Sequence, residues 1–305
     1  MKLYSIGNAI YHYREKNKIS QTQVCEGICT EMTLSRIETG ERECDFFLSE
    51  ILMERLGKTV NRFELFINDE DYYYYVLREN IEKAVEMGKL EQAKCYIEEY
   101  RNNMPTTHVL HEQFLIYYEV LIMKAEDKPK KDIVECLYCA INLTRPDFIK
   151  TEKRLRLYSK LEIKIIYELL LCESFSYEVL SGLFYFVDEM YDEEEKGRLQ
   201  IPFLYHYAQQ YKREEKWFEL ERVTSRGIGY LQAGRTYLYL AEFQFMNLLA
   251  ERELYKNTVI WEKKRVEFIQ RCNAIYYMSM IIEDSEMMKK AERFCEEQLE
   301  CQVTT

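Results

Sequence analysis

Residues 18–42 hold the densest set of side chains suited to one recognisable chemistry. Glu31, Met32 and Thr33 open a short amphipathic segment, and Arg36 follows one turn later. A carboxylate can accept a hydrogen bond from the amine of cytosine. A thioether or methyl group can pack on the methyl of thymine, and a guanidinium can pair with guanine or a phosphate. Gln21 and Thr30 start two short segments whose side-chain and backbone donors can hold phosphate oxygens. Lys18 and Arg42 flank the set as cations for a sugar–phosphate backbone. Such side chains can read the groove of double-stranded DNA, with no cofactor and no metal.

Short helices must position them. Ile6, Ala9, Ile10 and Tyr13 recur at helical spacing and stop near Lys16-Asn17-Lys18. Ser20 is a natural N-cap for a helix over 21–26 with Val24 and Cys25 inward. Gly27-Ile28-Cys29 makes the turn, with Gly27 free to take positive φ. Thr30 caps a helix over 31–38, buried through Leu34 and Ile37 and stopped by Gly40. Helices over 46–56 and 60–67 complete a five-helix head. Two short helices around a tight turn, the second able to enter the major groove, define a helix-turn-helix. The string Thr33-Leu34-Ser35-Arg36-Ile37-Glu38-Thr39-Gly40-Glu41-Arg42, following Ile19-Ser20-Gln21 and Val24-Cys25-Glu26-Gly27-Ile28-Cys29, resembles the phage-repressor-like (Cro/CI, or XRE) family. Leu-Ser-Arg-Ile-Glu-x-Gly is its specific part. Glu31 departs from the Gln or Ser common at that position, which bears on base preference and not on the fold.

Charge argues the other way. The 305 residues carry a net −11; residues 1–67 hold nine Lys/Arg and ten Asp/Glu, a net of −1, which leaves −10 to the rest. A near-neutral head binds DNA through a local patch, helped by a dimer that engages two half-sites.

Only four prolines and ten glycines interrupt a chain that is 47% apolar, and no alternating Val, Ile and Thr run suggests a sheet. The expected fold is all-α. No uncharged apolar run reaches membrane-spanning length and no signal-peptide pattern is present, so a cytoplasmic protein with free thiols in place of disulfides is expected. Cys136-x-x-Cys139 lies within a helical pattern without a second pair or a histidine, which favours packing over a metal site. No phosphate loop, nucleophile elbow or catalytic cluster occurs, so an enzyme is not expected.

From Tyr72 the pattern is one of paired helices: 73–87 with 90–102, 109–125 with 131–143, 153–171 with 177–191, 199–213 with 217–232, 236–254 with 261–282, and a last helix over 285–299. The spacing is close to the roughly 34 residues of a tetratricopeptide pair. Gly88-x-Leu90-x-x-Ala93 matches that repeat's hinge and its small packing residue. The expectation is a head at 1–67, a junction at 68–76 that includes the tyrosine run 72–75, and over 77–305 a right-handed tetratricopeptide-like superhelix of about five hairpins with a capping helix. Stacked hairpins make a concave surface suited to an extended peptide. Lys164, Tyr205, Gln209, Gln244 and Asn247 are polar groups on first helices, and Arg235 precedes the fifth pair as a carboxylate partner. An ordinary solvated face is the competing reading for each.

Together the two halves resemble the Rgg/PlcR-type regulators among the RRNPP peptide-pheromone receptors, helped by Ala140-x-x-Leu143-Thr144-x-Pro146-Asp147-Phe148. The resemblance implies a DNA-binding regulator that is a homodimer through its repeats, with a short signalling peptide on the concave face repositioning the heads. The alternative is a protein-interaction scaffold or sequestering module without a peptide pheromone.

Overall fold

The computed structural model describes residues 6–58, 69–104, 109–146, 157–173, 180–234 and 239–299. Among them every regular element is an α-helix. No described helix is long and apolar enough to cross a membrane. The chain divides into two compact units, Met1–Met190 and Tyr191–Thr305.

In the first unit the head is built from α1 (Ile6–Lys16), α2 (Gln21–Cys25), α3 (Glu31–Thr39) and α4 (Phe46–Arg55). Side-chain caps set three of the starts. Ser20 forms a capping box with Gln23, Thr30 accepts from the Thr33 amide, and Asp45 accepts from the Leu48 amide. Each cap satisfies an N–H that the first turn leaves without a helical partner. Ile10, Val24, Leu34, Ile37 and Leu52 fill the space between the four helices, fully or almost fully buried. Each contributes about 1.5–3 kcal/mol. At Gly7 a Cβ would stand 1.9 Å from the Ile37 carbonyl oxygen, so only glycine lets α1 lie this close to α3. The helix expected over 60–67 lies outside the described residues.

The same unit continues with hairpins α5 (Asp69–Glu86) with α6 (Leu90–Asn103), α7 (Val109–Ala125) with α8 (Lys130–Thr144), and α9 (Lys160–Cys172) with α10 (Ser181–Met190). Helix α4 seats the head on them. Phe47 lies edge-on to His111 and Phe114, and the Arg78 guanidinium covers its ring at 4.1 Å. The tyrosine run at the junction splits its duties: Tyr74 is buried and donates to the Asn103 carbonyl, Tyr75 meets Phe46 edge-on, and Tyr72 is exposed. The head and three hairpins therefore share one compact unit.

The second unit holds α11 (Glu193–Arg213), α12 (Trp217–Ala233), α13 (Leu240–Tyr255), α14 (Val259–Ile281) and α15 (Ser285–Leu299). Phe245, Leu248, Phe268, Cys272, Ile275, Ala291 and Phe294 form the core between α13, α14 and α15.

Pair boundaries follow the sequence pattern to within about four residues, and the two larger departures are the starts of α9 and α11. Helix α9 begins at Lys160, not near 153, because Ser159 forms a capping box with Glu162. Helix α11 begins at Glu193, not 199, because Asp192 caps the Glu195 amide at 3.0 Å. Several hairpins turn through one left-handed residue: Gly88, Asp127, Glu215 and Asn257, with Glu283 serving α14 and α15.

Candidate nucleic-acid interface

Helix α3 separates two chemistries around its axis. Leu34, Ile37 and Glu38 face the head's interior, while Glu31, Met32 and Arg36 are exposed and Thr33 and Ser35 are partly so. Met32 is 65% exposed, a solvated thioether that the fold itself does not need. Thr30 Oγ1 accepts from the Thr33 amide at 3.1 Å and donates to Thr33 Oγ1 at 3.0 Å, which orients both hydroxyls at the helix start. At the other end Gly40, at φ +78°, lets its amide and those of Glu41 and Arg42 close on the last turn. Thr22 donates to Glu31 at 2.8 Å, an exposed link between α2 and α3. Thr22, Ser35 and Thr39 were not among the residues singled out from sequence. Ser35 and Thr39, at helical spacing from Met32, carry the signal that could have found them.

The inner face of α3 is held ionically. Arg14 on α1 donates to both oxygens of Glu38, at 2.7 and 3.0 Å, and to the Ile19 carbonyl at 3.0 Å. The hydrogen bond to Glu38 raises the Arg14 pKa against the effect of burial. Gln21 Nε2 completes the clamp on Glu38 at 2.7 Å. Gln21 is partly exposed, and this contact engages its Nε2 at the edge of the head. Lys18, at φ +55° ahead of α2, and Arg42, just after α3, are exposed.

A buried charge cluster fixes the turn between α2 and α3, and nothing in the local sequence pattern announces it. Arg55, with 0% of its surface exposed, donates to the Val24 carbonyl at 2.9 Å, the Glu26 carbonyl at 2.6 Å and Glu162 at 2.8 Å. Arg145 donates to the Glu26 carboxylate at 2.7 Å and to the Leu157 carbonyl, and lies 3.3 Å from Glu162. Burial works to raise the Glu162 pKa, yet Arg55 and Arg145 together hold it down at about 2. Burial also pushes Arg55 down to about 10, against the pull of Glu162. Gly27, at φ +71°, brings the turn so near α8 that a Cβ would stand 2.1 Å from the Thr144 carbonyl oxygen. The helix-turn-helix turn is thus bolted to α8 and α9.

The residues expected to line a peptide groove fall in both units. Lys164 is exposed in the first, 3.3 Å from Glu82. In the second, Tyr205 lies tilted against Tyr239 and edge-on to Phe243, and Gln209 and Gln244 are partly exposed. Asn247 is a correction. It is buried, donates to Thr224 and Ser225 and accepts from Arg271, so its amide has nothing left for a backbone. Arg235 lies outside the described residues. Cys136 is partly buried and Cys139 exposed, and no metal-binding group of His, Cys, Asp or Glu forms among the described residues.

Comparison with solved structures finds similarity along nearly the whole chain. PlcR of Bacillus thuringiensis, solved with the peptide PapR7 and DNA, is 13% identical with a TM-score of 0.46, over 94% of this chain and 99% of that one. ComR from S. thermophilus, solved with DNA and its signalling peptide ComS, is 17% identical with a TM-score of 0.41, over 94% and 97%. The SHP pheromone receptor Rgg2 of Streptococcus dysgalactiae is 11% identical with a TM-score of 0.41, over 96% and 100%. No family model and no curated protein matches the chain.

Proposed function

We propose that the chain is a DNA-binding transcription regulator whose helical repeats bind a short signalling peptide and form a homodimer. One observation carries this reading. Helix α3 buries Leu34, Ile37 and Glu38 and turns Glu31, Met32 and Arg36 outward, on a head whose turn is fixed by buried charges. A helix presented this rigidly can enter a major groove without paying to become ordered. Thr30, Thr33 and Arg36 would meet bases or phosphates, with Lys18 and Arg42 on the backbone.

Support for the dimer comes from α14. Val259, Val266, Tyr277 and Ile281 are exposed along it at intervals that keep them on one stripe. A second copy of the same surface is the occupant that fits two-fold DNA half-sites. The peptide reading rests on the polar groups Tyr205, Gln209 and Gln244, which can pair with a peptide backbone.

Footprinting of the gene's own upstream region, with and without conditioned medium, tests the whole reading. Protection that changes with the medium is expected. Protection that ignores the medium removes the peptide and leaves a plain regulator. A head of net charge −1 also allows a scaffold; salt-independent capture of one stoichiometric protein, with no duplex binding, would decide for it.

A further inference from the structure

We propose that Cys25 and Cys29 form an oxidative modification site: hydrogen peroxide joins them in an intramolecular disulfide across the helix-turn-helix turn. The inference does not depend on what the head binds.

The geometry of the turn brings the two residues together. Glu26 has φ −51° and ψ 122° and Gly27 has φ +71°, a type II turn with glycine at its left-handed position. The Cys25 carbonyl accepts from the Ile28 amide at 2.9 Å and from the Cys29 amide at 3.1 Å. A backbone bond spanning four residues holds their Cα atoms within the separation a disulfide bridges, roughly 4.4–6.8 Å. Cys25 Sγ donates to the Thr22 carbonyl at 3.8 Å, and each of the two thiols is the largest influence on the other's ionisation. Cys25 is buried and Cys29 is partly exposed, so a small oxidant reaches the pair from one side.

The surroundings divide the labour between the sulfurs. Cys29 lowers the Cys25 thiol below its ordinary range, against burial, and Cys25 together with burial raises Cys29. Of the two, Cys25 is therefore the sulfur that ionises first. Arg55, bonded to the carbonyls on either side of Cys25, favours that charge; Glu31 opposes it, and Cys44 is the third thiol nearby. The Cys25 thiolate attacks one peroxide oxygen and the O–O bond breaks. Hydroxide leaves and takes a proton to become water, and Cys25 becomes a sulfenic acid. The Cys29 sulfur then attacks the Cys25 sulfur and the S–O bond breaks, with the Cys29 proton completing a second water. Two thiols lose two electrons, and one peroxide becomes two waters.

The test uses the folded full chain, treated with hydrogen peroxide, blocked with an alkylating agent and digested with trypsin. Residues 19–36 form one tryptic peptide that contains Cys25 and Cys29 and no other cysteine. The expected result is that this peptide becomes two hydrogens lighter and loses both alkylation sites, with full reversal by dithiothreitol. Cys29→Ser abolishes the change and Cys44→Ser retains it. The proposal is overturned if both cysteines remain alkylated, if only oxygen is added, or if the peptide is found cross-linked to residues 43–55, which carry Cys44.

Discussion

At the scale of single residues, Glu38 stands out because it is an ion pair and a hydrogen-bond hub at once. Its two oxygens accept from Arg14 and Gln21 in a site with little solvent. Glu38→Ala leaves the buried Arg14 guanidinium only the exposed Glu15 carboxylate at 2.7 Å, so the loss should fall at or below the low end of about 3–5 kcal/mol for a broken buried pair. Urea unfolding followed by circular dichroism should show a midpoint lowered accordingly, and an unchanged midpoint would mean that solvent replaces the carboxylate. Glu54 gives a second handle, through pH. Burial, and then repulsion from Glu50, raises its pKa to about 8, although it accepts from the Lys160 amide at 2.9 Å. An ordinary glutamate titrates near ~4.3, so folding binds a proton here. That stabilisation is complete below pH ~4.3 and is lost as pH rises to about 8. Glu54→Gln keeps an acceptor for Lys160 and removes the titration. Its unfolding midpoint should match the parent at low pH and exceed it at pH ~9; parallel curves would show that Glu54 is solvated. The outward residues of α3 were legible from type and spacing. Asn247 was not, because a polar side chain in an apolar pattern looks alike whether it faces water or a buried partner.

At the scale of elements, the sequence is most readable where local chemistry decides. Ser20, Thr30 and Gly40 fix the ends of α2 and α3 through bonds within a few residues, and those ends fall where the residue types place them. Ser159 and Glu162 form the same legible box, masked because the apolar pattern runs on upstream. Less readable are turns such as Glu215 and Glu283, where an ordinary residue adopts positive φ without a type that announces it. Gly27 and Gly40 separate two meanings of one conformation. Both have positive φ, but a Cβ on Gly40 meets nothing within 4 Å, whereas one on Gly27 collides with the Thr144 backbone. Gly40→Ala should cost only the left-handed backbone term, about 1–2 kcal/mol. Gly27→Ala adds a displacement of the turn from α8 and should cost at least as much again. Thermal unfolding of the two variants checks the order, and equal losses would mean that the turn is not seated on Thr144.

At the scale of the molecule, what the sequence hides is the long-range partner. Arg55 and Glu162 are separated by 107 positions, and neither residue's neighbourhood points to the other. Yet this pair, with Arg145, makes the head continuous with the hairpins that follow it, so movement in α8 or α9 reaches the turn before α3 directly. The net charge sets a second molecular problem, because a chain at −11 is repelled by DNA beyond its local patch. In the proposed dimer two heads would relieve this, since the second half-site would be bound at a high effective concentration. The exposed stripe Val259, Val266, Tyr277 and Ile281 is the surface on which that pairing is expected. Val266→Asp puts a carboxylate at its centre, where pairing would desolvate two like charges across a two-fold axis. Because Val266 is 67% exposed, the variant should fold as the parent does. Sedimentation velocity should then report a monomer for the variant and the proposed dimer for the parent. Binding to a duplex with two half-sites should fall by at least ~10²-fold, while binding to one half-site stays unchanged. A variant that sediments with the parent would move the dimer contact elsewhere on the chain.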